Sequence, residues 1–214
     1  MRIPVLVLAG LLLGAAGAAG QTGAPAASAT PRAWEFSAGA MAYFLPASLE
    51  TDDFVLPTVT ADRGWLHLEA RYNYEAIGAG SAWFGVNFAG GSSVEWTLTP
   101  MIGAVFGSTD GVAPGYRGSL AWRRLALSSE GEYVFDAANS EESFFYNWSE
   151  LTYAPAEWFR FGVAAQRTRV YQTEHDIQRG LIVGFTYKWL DLAGYLFNPD
   201  DSKPVVLVSA RVTF

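Results

Sequence analysis

His67 and His175 are the only imidazoles in the chain, and it contains no cysteine. Nucleophilic or acid–base catalysis needs such a base within about 3 Å of its partner, and no GxSxG, HExxH or phosphate-loop spacing supplies the rest of a site. His175 stands in TEHD, flanked by Glu174 and Asp176. Three adjacent polar residues read as solvated loop charge, with a divalent-ion site as the weaker reading. No catalytic residue, metal or cofactor is expected.

What the spacing does offer is a polar group at every second residue. In GWLHLEARYNYEA, Leu66, Leu68, Ala70, Tyr72 and Tyr74 share one face, while His67, Glu69, Arg71, Asn73 and Glu75 share the other. A period of two marks strands. The alternation recurs along the chain. Collected together, the polar rows are Glu35, Glu69, Arg71, Asn73, Glu75, Asn87, Glu95, Arg117, Arg123, Glu130, Glu132, Glu150, Arg160, Gln166, Lys188 and Arg211. Charges of both signs run along the middle of these rows, which the dry core of a soluble sandwich would not tolerate unpaired.

The elements that position these rows are therefore strands with one greasy face, and the question is what that face meets. Half of the residues are hydrophobic and 15% are aromatic, yet after residue 20 no apolar run reaches the roughly 18 residues of a membrane-spanning helix. Strand candidates of about 9 to 13 residues match a tilted strand crossing a bilayer and exceed the usual soluble strand. Trp65, Trp122, Trp158 and Trp189 fall near segment ends, where an aromatic belt would sit. Residues 1–20 place Arg2 before an apolar run and small residues, the layout of a secretory signal peptide cleaved after Gly20. Residues 21–32 read as a flexible periplasmic lead, leaving 33–214 as a single domain. Without the leader the chain carries 13 Lys and Arg against 21 Asp and Glu, and that acidity argues against a nucleic-acid partner.

The chain stops after VVLVSARVTF, with Val206, Val208, Ala210, Val212 and Phe214 on one face. Here the sequence resembles bacterial outer-membrane β-barrels, whose last strand alternates apolar residues and ends in an aromatic. The resemblance implies a closed, antiparallel, up-and-down, all-β transmembrane barrel in the outer membrane of a Gram-negative bacterium. It also implies that Val208, Ala210, Val212 and Phe214 form an assembly signal read by the barrel-assembly machinery.

Breaks at Gly, Pro, Asn and Asp clusters divide residues 33–214 into twelve strands, with ten or fourteen as alternatives. An even count puts both termini in the periplasm. The inner connections are then short and the outer ones mostly longer and acidic. Pro57 and Pro100 fall inside strands, where each removes a ladder hydrogen bond. Placing Glu150 inward sends Asn147 and Ser149 to the lipid face. Twelve strands about 4.8 Å apart and tilted about 40° enclose a backbone radius of roughly 12 Å, which side chains can open or close. The expected function is a narrow passive channel for small polar solutes. The alternatives are a plugged structural barrel and, second, a lipid-modifying enzyme. The expected surroundings are outer-membrane lipid and lipopolysaccharide, with Arg167 and Arg169 near the outer surface.

Overall fold

The computed structural model describes residues 33–46, 52–168 and 177–214. The expected leader (1–20) and expected periplasmic lead (21–32), Arg169 and the TEHD loop lie outside the described residues. The strands are β1 (Glu35–Phe44), β2 (Phe54–Arg63), β3 (Leu66–Tyr72), β4 (Ala79–Val86), β5 (Phe88–Gly90), β6 (Glu95–Gly107), β7 (Gly111–Trp122), β8 (Leu125–Asp136), β9 (Phe144–Ala156), β10 (Phe159–Arg167), β11 (Gln178–Tyr187), β12 (Leu190–Phe197) and β13 (Val205–Thr213). β4 and β5 pair with β6 in one continuous register, Gly85 with Met101 and Phe88 with Leu98. They are two halves of a single stave, so the barrel has twelve. Every neighbouring pair is antiparallel, and β1 pairs with β13 along eight residues, which closes the sheet. The seam ends where the backbones of Phe36 and Phe214 exchange two hydrogen bonds of 3.0 Å.

The prolines explain where the ladder breaks. Pro100 pairs with Tyr116 on the β7 side, and the break between β4 and β5 falls opposite it, at Val86 and Asn87. Without an N–H, Pro100 has nothing to donate there, yet the register resumes unchanged, so there is no bulge. Pro57 likewise pairs with Ala40 on β1, whereas pairing with β3 begins only at Thr58 with Arg71.

The apolar rows face outward. Val59, Ile102, Phe106, Val163 and Leu181 are each more than half exposed, as hydrocarbon-facing side chains are in the absence of lipid. Trp65, Trp122, Trp158 and Trp189 all lie at or beside the short turns on the side of the two termini, the end that an even stave count would put in the periplasm. The segment after Tyr72 departs from expectation. β3 ends there, because Asn73 adopts a positive φ of 61°, and the chain turns over at Gly78. Tyr74, read as lipid-facing, is instead buried inside the barrel, 8% exposed.

Asn147 and Ser149 do face the lipid, and the structure shows how hydrocarbon tolerates them. The Asn147 amide donates to Tyr116 Oη at 3.1 Å and to the Glu130 carbonyl at 2.9 Å, and Ser149 donates back to Asn147 at 3.1 Å. Ser129 links Tyr116 and Ser149 at 3.0 and 2.9 Å. Four polar side chains on three adjacent strands thus satisfy one another, which removes most of the burial cost. Tyr116→Phe should lower stability by about 1 kcal/mol. A urea titration in lipid vesicles followed by tryptophan emission reads this, and an unshifted midpoint would show that the network contributes nothing.

Candidate functional site: a divided, ion-paired lumen

The inward row of β3 builds one wall of the site. Arg71 is 6% exposed and lies between two aromatic rings, its guanidinium carbon 4.3 Å from the Tyr74 centroid and 4.5 Å from that of Trp83. Its Nε donates to Glu69 Oε1 at 2.7 Å, and its Nη1 reaches Glu132 on β8, also at 2.7 Å. Arg117 on β7 completes the lattice, donating to Glu69 at 2.7 Å and to Glu130 at 3.0 Å. The Tyr74 hydroxyl donates to Glu130 as well. Alternation alone points these groups inward. What offsets their burial is mutual pairing, since an isolated ion in such a place would be prohibitively desolvated.

At the periplasmic end the same wall continues through His67. Its two ring nitrogens are 2.8 Å from Asp62 and 3.1 Å from Glu69, and Asp62 accepts from Asn87 at 2.7 Å. Both nitrogens are engaged by carboxylates, so the imidazole is a structural link rather than a poised base.

The opposite side is built by β9 to β13. Arg160 forms a bidentate pair with Asp191 at 2.6 and 2.8 Å. Gly184 leaves it room, because a Cβ there would lie 2.6 Å from the guanidinium carbon. Glu150 Oε1 accepts from Trp148 Nε1 at 2.7 Å and from Tyr195 at 2.8 Å, which draws two strands' aromatics together. Between the two sides lies a cavity of about 150 Å³. Arg117, Arg160, Arg211, Glu130, Glu150 and Asp191 line it, with Tyr74, Trp148 and Tyr195. Toward the outer end the interior turns apolar. Tyr43, Phe54, Trp148, Tyr195, Phe197, Val205 and Leu207 pack into one cluster, the last three with no exposed surface.

Of the residues expected in the lumen, the structure brings Glu69, Arg71, Arg117, Glu130 and Glu132 into direct contact. It places Glu150, Arg160 and Arg211 around the open space and buries Glu75 and Gln166 beside them. Asn87 faces inward near the periplasmic end, bonded to Asp62 and Thr99. Four expectations are corrected. Asn73 caps the outer turn, bonding the Val55 carbonyl and the Gly78 amide at 2.9 and 2.8 Å. Lys188 and Arg123 sit in inner turns at positive φ, exposed, each over a neighbouring aromatic ring. Glu95 is exposed where β6 begins, at the periplasmic rim. The sequence reading left out Asp62, Trp83, Trp148, Asp191 and Tyr195. The period of two could have found Asp191, between Leu190 and Leu192; aromatics turned inward carry no such signal.

A closed twelve-stave barrel, apolar outside and ion-paired inside, has the fold of the bacterial outer-membrane β-barrels. No protein-family model and no curated protein sequence matches the chain. Among solved structures it is similar to KdgM porin, with a TM-score of 0.56 at 11% identity over 83% of this chain and 99% of that one. KdgM porin in complex with disordered oligogalacturonate is similar at TM-score 0.55 and 10% identity, over 84% and 99% of the two chains. The outer membrane protein Omp33 of Acinetobacter baumannii aligns over 85% and 98% at TM-score 0.44 and 10% identity. At these identities the likeness is one of fold.

Removing one partner of the wall leaves buried charge behind. Arg71→Leu should cost about 3–5 kcal/mol, and the double variant Arg71→Leu/Glu132→Leu less than the single. Urea midpoints of the three proteins check this order; a double variant weaker than the single would contradict it.

Proposed function

We propose that this protein is a narrow passive channel of the outer membrane for small polar solutes. The observation that carries the reading is the open space in mid-barrel, faced by three guanidiniums and three carboxylates rather than by apolar filling. Fixed charge around water is how pores admit polar solutes and select among them. The fold shared with porins supports it. The oligogalacturonate named with one of those structures belongs to that porin, and the charge here differs from what a polyanion would ask for. Among the described residues, Asp62, Glu69, Glu75, Glu130, Glu132, Glu150 and Asp191 point inward against Arg71, Arg117, Arg160 and Arg211, a formal excess of three acidic groups. Such an interior favours cations and net-neutral solutes over anions.

The same reading includes export with cleavage after Gly20, assembly through the strand that ends Val208, Ala210, Val212 and Phe214, and surroundings of lipid and lipopolysaccharide. In this reading Arg167, exposed at the end of β10, pairs with lipopolysaccharide phosphate. The catalytic alternative has little support, since His67 is engaged at both nitrogens.

One observation favours a second reading, a plugged barrel: the apolar cluster at the outer end has members with no exposed surface. Planar-bilayer recording separates the two. The channel reading predicts small discrete steps, a reversal potential in a KCl gradient on the cation side, and larger steps for Trp148→Ala, which thins the cluster. Absence of any step from folded protein assigns the plugged reading instead.

A further inference from the structure

The ion lattice does not run along the barrel wall; it crosses the interior. Arg71 and Glu69 leave β3, and their partners leave β7 and β8. Between β3 and β7, on the short way round, stand only the β4–β5 stave and β6. The contacts therefore form a chord that separates those staves from the rest of the circle.

The two sides of the chord are filled differently. Behind it Trp83, Met101, Val105, Ala113 and Val134 pack as one buried cluster. Trp83 occupies this space so fully that a Cβ at Gly103 would stand 2.5 Å from its ring, and one at Gly115 3.1 Å. In front lies the open space, and none of the residues lining it comes from β3, β4, β5 or β6. A closed sheet cannot shrink onto its contents, because its girth is set by strand number and stagger. Interior volume is either filled or left open, and here one segment is filled and the other is not.

We infer that the Arg71–Glu132 and Arg117–Glu69 bridges are a fixed internal wall. It divides the lumen into a dry lobe and a wet lobe, and solute moves only through the wet lobe. Arg117 and Glu130 are the faces of this wall that solute meets. Arg71 and Glu132 act behind them as positioning residues. The statement about solute rests on the channel reading above; the division into lobes does not.

The chain has no cysteine, so single introduced thiols report cleanly. Thr58→Cys and Ser209→Cys place a thiol in the wet lobe, and Met101→Cys and Val105→Cys place one in the dry lobe. The probe is a charged methanethiosulfonate added to protein folded in vesicles, with modification read by intact mass. The dry-lobe thiols should react at least about tenfold more slowly, because they are reached only through local opening. They should become reactive when Arg71→Leu/Glu132→Leu removes the bridge from β3 to β8. In bilayers, modification of Ser209→Cys should reduce the step size. Equal reaction rates in the two lobes would overturn the division, whatever the currents show. Selective labelling with an unchanged step size at Ser209→Cys would overturn the assignment of the path. If no protein gives any current, the channel reading fails, while the labelling pattern still decides the wall.

Discussion

Hydrocarbon offers no hydrogen-bond partner, and the rest of the structure follows from that constraint. Each unpaired backbone amide would cost several kcal/mol in a bilayer core, so the sheet must close on itself. It does so through the β1–β13 seam, finished by the mutual bonds of Phe36 and Phe214. The ladder's interruption opposite Pro100 is where the rule is strained. There Asn87 turns its backbone amide to the Trp65 carbonyl in the turn between β2 and β3, at 2.7 Å. The same demand governs side chains that face the lipid: Tyr116, Ser129, Asn147 and Ser149 answer it among themselves.

Closure fixes the girth, and a fixed girth leaves an interior that the chain must deal with. Each region of the lumen is handled by a different chemistry. Beside β4 and β6, Trp83 and small neighbours fill the space. Across the middle, two arginines and three glutamates on three strands bridge to one another. At the outer end, aromatics crowd inward, tied to β9 by Glu150. Only the remaining segment stays open, with three guanidiniums and three carboxylates in its lining, while the acidic excess of the interior lies in the wall and at the end near Asp62.

The sequence made the faces of the strands legible because lipid imposes a strict period of two. Leu66 to Tyr72 alternates without a fault, and the lumen positions of Glu69 and Arg71 follow directly. The stave number of twelve was readable from the Gly, Pro, Asn and Asp clusters that break the chain between strands. The ends of strands were not. Alternation extends the inward row to Asn73, yet that single left-handed residue ends β3, and beyond it the alternation no longer assigns faces: Tyr74 and Glu75 are both buried. Lys188 and Arg123 failed likewise, as turn residues counted as strand. Inward aromatics such as Trp83, Trp148 and Tyr195 were invisible because an apolar ring fits either face. The wall itself could not be read, since contacts such as Arg71 with Glu132 join residues far apart in the chain and depend on the barrel's curvature.

The account stands on the outward apolar surface being a lipid surface and the sheet being closed. Electrophoresis in SDS of the detergent-purified protein, with and without boiling, addresses both together. A closed barrel resists SDS until heated, so the unboiled protein should run as a compact, faster band that shifts to its full apparent mass on boiling. A chain that is soluble without detergent and migrates identically whether boiled or not would contradict the account at its root.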